Sequence, residues 1–381
     1  MYDLIIIGGG MSGISAGHFF RNQNILILEK IELLSGASSK NAGFIISGFG
    51  EHYQRTVQRL GHERARRVHQ IHLKSHLRIG ELTNTLECSY QKTGSYAVAL
   101  NQKESDALRQ SFNLMKADGY PVEWVPVAPA GLREKRPAVF NQDDAHFDSA
   151  LFWTKPADGI PVQTHCEVVG VIEDGDTNIV RTTTHEYRTR HVIYCLNAYS
   201  SLLLPELDGR FIALRGQMLE LPINGRAPCT LPVYGDYGDV YWRFTDNSLI
   251  FGGLEQHVPE DEAGIAEQVS ERITEQQINW IQEHFEAGTI VDSPGRTCCG
   301  TMAFTVDGFP FVGPLRRRNQ YVLAGLCGLG HSYALECASW IHELLTTGRN
   351  IIPPDFSSDR IEKLAHYRGG NWRTLYEAWN H

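Results

Sequence analysis

Leu4-Ile5-Ile6-Ile7 is an unbroken apolar run, followed by glycines, a small-residue stretch and a second run, Ile25-Leu26-Ile27-Leu28. Short runs without alternation belong to strands buried on both faces, so Tyr2 to Lys30 reads as β-α-β. Between Glu51 and Leu86 the strong breakers are Gly61 and Gly80. Val68, Ile71, Ile79, Leu82 and Leu86 recur there at near-helical spacing, which predicts one or two helices. A strand at Ser95 to Leu100, a helix at Glu104 to Ala117 and a strand at Val122 to Val125 do not continue the first unit's pattern, so a second domain is inserted. The chain returns to a buried strand at His191 to Cys195. It then leaves for alternating strands at Gln217 to Leu221, Val240 to Phe244 and Leu249 to Phe251, and a polar helix around Thr274 to Phe285. From Tyr321 a strand feeds a glycine-rich turn and a helix reaching Leu345.

The pattern predicts an α/β protein with two discontinuous domains. Residues 1–85, 146–212 and 296–350 form the nucleotide-binding unit. Residues 86–145 and 213–295 form an inserted α+β domain with a mostly antiparallel sheet, and 351–381 form a tail packing on the first unit. No internal repeat or low-complexity segment interrupts this order.

With 42% hydrophobic and 21% charged residues among 381, the composition is that of a globular chain. A net charge of -9 provides no basic footprint, which argues against nucleic acid as a partner. No apolar stretch reaches the roughly 18 residues of a membrane-spanning helix, and the first strand starts almost at Met1, so the expectation is a cytoplasmic protein. Eight cysteines without C-x-x-C spacing read mostly as buried thiols.

Gly8, Gly10 and Gly13 form G-x-G-x-x-G after the first strand and at the opening of a helix, with Glu29 closing the next strand. Gly8 permits the tight turn, Gly10 lets the backbone approach a pyrophosphate, and Gly13 lets the helix pack close to the strand. The helix N-terminus offers unpaired N–H groups to the anion, and Glu29 can accept both hydroxyls of an adenosine ribose. This Rossmann-like cradle, taken alone, suits FAD or NAD equally.

Three further segments narrow the choice: Gly36-Ala37-Ser38-Ser39-Lys40-Asn41-Ala42-Gly43, Asp307-Gly308-Phe309-Pro310-Phe311-Val312-Gly313, and Gly325-Leu326-Cys327-Gly328-Leu329-Gly330-His331. With the cradle they resemble the D-amino acid oxidase superfamily of FAD enzymes, closest to the glycine oxidase, sarcosine oxidase and γ-glutamylputrescine oxidoreductase branch. Arg215-Gly216-Gln217, Tyr241-Trp242-Arg243 and Phe251-Gly252-Gly253 fall where that branch has similar triplets. The resemblance implies noncovalent FAD, with Ser38, Ser39, Asn41, Ala42 and Gly43 along the pyrophosphate and flavin. Gly328, Leu329, Gly330 and His331 would close over the pyrimidine side of the ring, where oriented N–H groups stabilise the charge gained on reduction. Met11, Ser12, Lys30, Val168 and Asn197 complete the expected cofactor shell. The implied reaction is hydride transfer to flavin from the carbon beside nitrogen of a small amine or amino acid, with an electron acceptor the sequence does not name.

Two departures bear on the substrate. The glycine oxidase pattern places a carboxylate-clamping arginine five residues before the aspartate of the Asp-Gly-x-Pro segment. Met302 stands there, and it has no bidentate fork, so an amine is preferred to a simple α-amino acid. No catalytic residue is assigned; His52, Tyr241, Arg243, Arg296 and Met302 are the candidates for the substrate side. Secondly, only Trp153 to Asp158 separate Ala150-Leu151-Phe152 from Gly159-Ile160-Pro161-Val162, where the family carries about a helix more. The expectation is a missing helix, with the exposed surface covered by a partner subunit or by Trp372, Leu375, Tyr376 and Trp379 of the tail. That loss keeps open an FAD-binding scaffold without turnover, alongside a less favoured nicotinamide-dependent dehydrogenase.

Cys298 and Cys299 read as ordinary thiols, since Gly300 falls nearest the position used for covalent flavin attachment in sarcosine oxidases. His69, His72 and His76 share one helical face but lack a completing ligand set, so they are assigned to the surface or a domain boundary and no metal is expected. Arg316, Arg317 and Arg318 read as a solvated turn.

Overall fold

Strands flanked by helices on both faces must be apolar on both sides. The first two meet that condition: Leu4–Ile7 and Ile25–Leu28 are buried throughout. The computed structural model describes residues 1–86, 90–255, 263–291 and 295–364. Its helices are α1 (Met11–Phe20), α2 (Tyr53–Leu60), α3 (His62–Leu86), α4 (Gln102–Ala117), α5 (Ser149–Ala157), α6 (Glu271–His284) and α7 (Gly330–Thr347).

One sheet is parallel at its centre, in the order Val162–Gln163, Ile25–Leu28, Tyr2–Ile7, Glu186–Tyr194 and Gln320–Ala324. Val168–Asp174 and Thr177–Thr182 extend it as an antiparallel hairpin on Glu186–Tyr194, and Phe311–Pro314 runs antiparallel to Gln320–Ala324. Alternate residues of Tyr2–Ile7 point to different cores. Leu4 and Ile6 join α1, α3, α5 and α7, while Ile5 and Ile7 join the layer around Tyr194, Leu204 and Leu207.

The second sheet runs Arg296–Thr305, Phe211–Pro222, Ser248–Gly253, Val240–Phe244, Val233–Gly235, Ser95–Val98, Ala138–Asn141 and Val122–Val125. Its neighbours are antiparallel except where Val233–Gly235 meets Ser95–Val98. Trp242, Phe244 and Phe251 face α6, and Ala97, Val122 and Val139 face α4. A small sheet of Phe44–Ile45, Ala145–Phe147 and Tyr90–Gln91 lies beside the flavin-side loop expected from the sequence.

The helix expected to be missing is present, which corrects the sequence reading. Asp148 caps α5 by accepting Leu151 N–H at 3.0 Å, and Phe152 and Trp153 are fully buried. Residues counted as a linker form the second half of this helix, which covers α1. Ile160 then packs over Gly17, where a Cβ would fall 3.1 Å from its Cδ1. The tail residues proposed as a substitute lie outside the described residues. Residues 351–364 run along the parallel-sheet unit, with Phe356 packed among Phe309, Tyr333 and Trp340.

A second correction concerns the histidine stripe. His69, His72 and His76 are all buried, because the face of α3 that carries them also carries Val68 and Ile79 into the core. His69 stacks on Tyr120 at 3.8 Å and His72 meets Tyr333 edge-on at 4.3 Å. Burial disfavours the imidazolium, lowering His69 to about 3 and His76 to about 4, so both are neutral at pH 7. The arginine turn is ion-paired: Arg317 meets Glu206 at 2.9 Å, Arg318 meets Asp176 at 2.5 Å, and Arg316 meets Glu362.

Candidate functional site

The cradle takes its shape from contacts that exclude side chains. Gly8 has φ +107°, and a Cβ there would lie 2.5 Å from Cys195 O; at Gly13 it would lie 1.9 Å from Gly8 O. The helix can approach the strand so closely only because neither position has a side chain. Gly10 is the extended N-cap of α1 and no side chain caps it. Met11 N–H donates to Ser38 Oγ at 2.9 Å. Glu29 accepts Gly9 N–H at 2.7 Å and Ile31 N–H at 2.8 Å, which fixes its carboxylate beside the glycine turn.

The loop after the second strand is held from inside. Asn41 Nδ2 donates to Ala37 O and Ser38 O, while its Oδ1 accepts Gly43 N–H at 2.8 Å. Arg243 Nε donates to Ala42 O at 2.8 Å. Gly43 has φ +72°, and a Cβ would strike Phe147 O at 1.9 Å. Ser39 Oγ donates back to Leu34 O.

The late turn folds over the start of α1. Asn197, itself at φ +42°, accepts Gly325 and Leu326 N–H groups at 3.1 and 3.2 Å. Gly330 opens α7 against Met11, whose Sδ would lie 2.4 Å from a Cβ there. His331 joins the parts. Trp153 Nε1–H donates to its Nδ1 at 3.2 Å, and Asn41 Oδ1 and Ser149 Oγ lie 3.0 and 3.1 Å from its Nε2. Indole is a donor only, so Nδ1 must be unprotonated and Nε2 carries the hydrogen. Burial agrees, lowering His331 to about 3.

These pieces enclose a cavity of about 420 Å³, within the range of small-molecule sites. Of the expected cofactor shell, Met11, Ser12, Ser38, Asn41, Ala42, Gly43, Asn197, Gly328, Leu329, Gly330 and His331 line it. Gly8, Gly10, Gly13 and Glu29 form the adjoining turn. Lys30 is exposed and pairs with Glu167 at 2.8 Å, and Val168 packs on the outer core. Gly8 and Gly13 leave no room for Cβ atoms, and the start of α1 presents backbone N–H groups beside the cavity. Such a surface fits a dinucleotide's pyrophosphate.

Among the substrate-side candidates, Tyr241 and Met302 line the cavity and three others do not. His52 is buried beside Glu104, 3.3 Å from its Oε1, because its residue begins α2 and faces α4. Arg243 holds the loop after the second strand through Ala42 O. Arg296 is 84% exposed at the far end of its strand, near Glu220. Gly300 presses on Ala37, with 2.5 Å from a Cβ position to Cα, which leaves no space for a linking side chain. The sequence reading passed over Arg55, Tyr234, Tyr237, Asp239 and Glu255, which also line the cavity. Alternation along Val240–Phe244 marks Tyr241 as facing away from buried Val240 and Trp242, a signal that could have been extended back to Asp239.

The sequence profile described as DAO, FAD dependent oxidoreductase, matches residues 3–344. The chain belongs to this family of FAD-dependent oxidoreductases. Glycine oxidase of Bacillus subtilis is 22% identical over 257 residues, spanning 62% of this chain and 65% of that relative's length. Among solved structures, this FAD-dependent oxidoreductase resembles glycine oxidase from Geobacillus kaustophilus with a TM-score of 0.76 at 19% identity, covering 93% of this chain and 98% of that one. It resembles L-proline dehydrogenase from P. horikoshii with a TM-score of 0.73 at 18% identity, covering 95% and 98%. At these identities the structural likeness shows the fold. Among the described residues of the oxidoreductase, no helix is long and apolar enough to cross a membrane.

Proposed function

We propose that this protein oxidises the C–N bond of a small amine, with FAD bound noncovalently along the cradle and over the cavity. Gly8, Gly10, Met11, Ser12 and Gly13 would hold the pyrophosphate, Glu29 the adenosine ribose, and residues 38–43 with 328–331 the flavin. FAD bound there supplies the hydride acceptor, taking hydride from the carbon beside nitrogen to leave an imine that water hydrolyses. The chain's own residues orient the amine and exclude bulk water from the cavity. In the same reading the parallel-sheet unit is the FAD-binding domain, the antiparallel-sheet unit is the substrate domain, and the protein works in the cytoplasm.

The observation that carries the choice of an amine is Met302. Its Cε and Sδ lie 2.6 and 3.7 Å from the Cβ position of Gly216, and its Sδ lies 3.5 Å from the Cβ position of Gly328 in the late turn. A thioether therefore fills the wall where a carboxylate clamp would stand. A second reading, an α-amino acid, is favoured by Arg215, which lines the same cavity while its Nη1 donates to Ala266 O at 3.0 Å. The scaffold reading loses one of its supports with the presence of α5.

Product analysis tests the proposal. Aerobic incubation of the FAD-loaded protein with primary and secondary amines should give a carbonyl compound and ammonia or a smaller amine. The rate should rise with pH through one ionisation in the bound complex. Turnover confined to α-amino acids would favour the second reading.

A further inference from the structure

Resting on that reading of the cavity, we propose that Asp239 is the anionic anchor for a cationic nitrogen of the substrate, so that the amine enters as an alkylammonium ion. The residue sits at the end of a turn built under constraint. Asp236 and Tyr237 both lie in the left-handed region, at φ 49° and 58°, and Gly238 presses on Gly50, where a Cβ would fall 2.0 Å from its carbonyl oxygen. Left-handed non-glycine residues persist where surrounding structure holds them, commonly at functional sites. The hold here is Glu104, fully buried, whose Oε1 accepts Tyr237 N–H at 2.9 Å and lies 3.3 Å from His52 Nε2. The turn thereby sets Tyr237 and Asp239 into the cavity wall.

What points to a ligand is the state of the Asp239 carboxylate. It lies in the cavity wall with Tyr234, Tyr237 and Tyr241, yet among the described residues no hydrogen bond or ion pair reaches it. Carboxylates withdrawn from water are normally paired, because the charge otherwise bears its desolvation cost alone. That cost is visible in its acidity: burial first, then Asp236 and Glu104, raise Asp239 to about 7, with Arg55 pulling the other way.

The surrounding charges favour a cation over a second anion. Glu51, Glu104 and Asp236 add to Asp239 on the acidic side, and Glu255 lines the cavity beyond Gly253. Against them stand Arg55 and Arg59 near Asp239, while Lys40, paired with Glu267 at 2.6 Å, and Arg215, bonded to Ala266 O, line other parts of the cavity. Arg59 meets Glu51 at 2.8 Å, while Arg55 is 3.9 Å from Glu51 and lies over the Tyr237 ring at 4.8 Å. Tyr234 and Tyr241 add aromatic surface to the wall, and the Tyr237 ring already carries the Arg55 cation at 4.8 Å, the kind of contact an alkylammonium group also makes. Above about pH 7 an ammonium nitrogen therefore finds an ionised acceptor and aromatic walls, whereas a carboxylate at Asp239 meets like charge.

The test separates cation binding from turnover by using butyltrimethylammonium, which has no N–H and cannot become a neutral imine. Titrated into the FAD-loaded protein at pH 8, it should perturb the flavin absorption with a dissociation constant at least tenfold lower than in Asp239→Asn. Asp239→Glu should retain binding, and wild-type affinity should rise between pH 6 and pH 8 while the Asp239→Asn profile stays flat. Equal affinity in wild type and Asp239→Asn, both loaded with FAD, would overturn the proposal. If Asp239→Asn does not load FAD, a flat wild-type pH profile does so instead. Failure of the amine-oxidation reading looks different: Asp239-dependent cation binding persists, but no amine bleaches the flavin.

Discussion

Replacing Gly13 by alanine should damage both the fold and the cofactor site, whereas the same change at Gly10 should damage the cofactor site alone. An added Cβ at Gly13 would sit 1.9 Å from Gly8 O, 3.0 Å from Gly8 C and 3.4 Å from Ile6 Cγ2. The first two are backbone atoms of the turn and cannot rotate away. Helix α1 must therefore retreat by about 1 Å or more, loosening the packing of Ile14, Ala16 and Phe20. Overpacking costs about 1–3 kcal/mol and a 1.9 Å clash with backbone belongs at the upper end, so the return of at most about 1 kcal/mol in helix propensity leaves a net loss of about 1–2 kcal/mol. At Gly10 the new Cβ would meet Ser38 Oγ at 2.9 Å, the end of a rotatable side chain. Ser38 Oγ turns aside, and the Met11 N–H it releases borders the cavity, where water takes its place at little cost to folding.

Both changes displace the N–H groups at the start of α1 from a pyrophosphate, and one lost charge-assisted hydrogen bond, about 1.5–3 kcal/mol, weakens FAD roughly 10- to 150-fold. Flavin fluorescence titration gives Kd, and thermal unfolding of the FAD-free protein gives stability. Gly13→Ala should lower the unfolding midpoint and Gly10→Ala should leave it nearly unchanged, with FAD affinity reduced in both. An unchanged midpoint for Gly13→Ala, or wild-type FAD affinity in Gly10→Ala, would refute the reasoning.

Glu29→Gln exchanges an acceptor for an amide that cannot accept from both Gly9 and Ile31, so FAD affinity should fall roughly 10- to 100-fold on titration. Asp144 is fully buried, and burial raises it to about 7 although Ser47 and Ser95 donate to it. The folded protein thus holds a proton that the unfolded chain releases near the ordinary value. Stability should fall as pH rises from about 4 to about 7, by at most about 4 kcal/mol from this group, and flatten above. Asp144→Asn should remove that slope in thermal unfolding scans across the window. Trp153→Phe keeps the buried ring but drops the N–H bonded to His331, and should cost about 1 kcal/mol in thermal or denaturant unfolding.

The cradle was legible because its chemistry is local. Gly8, Gly10, Gly13 and Glu29 act through neighbouring backbone, and the spacing alone places them. The parallel strands were legible for a related reason, since burial on both faces leaves an unbroken apolar run. Helix α5 was missed because its length was judged against a family spacing, while its own signals, Asp148 as cap and Phe152-Trp153 as buried face, were passed over. The histidines of α3 looked like a polar stripe, but tertiary packing against α7 outweighed side-chain polarity and left them neutral. His52 and Arg296 were only candidates for the substrate side. Which way each side chain points depends on α4 and on the far end of the Arg296–Thr305 strand, neither of which the motif records. Asp239 was invisible for the opposite reason: the role proposed for it rests on a carboxylate that no hydrogen bond or ion pair reaches among the described residues, which appears only when the turn at Asp236–Gly238 meets Gly50.

The central claim, an FAD enzyme that oxidises amines, is tested most directly by the visible spectrum of the purified protein before and after anaerobic addition of amines and α-amino acids. The account predicts flavin bands that bleach with an amine and respond weakly or not at all to α-amino acids. Flavin bands that no compound of either class bleaches would contradict it.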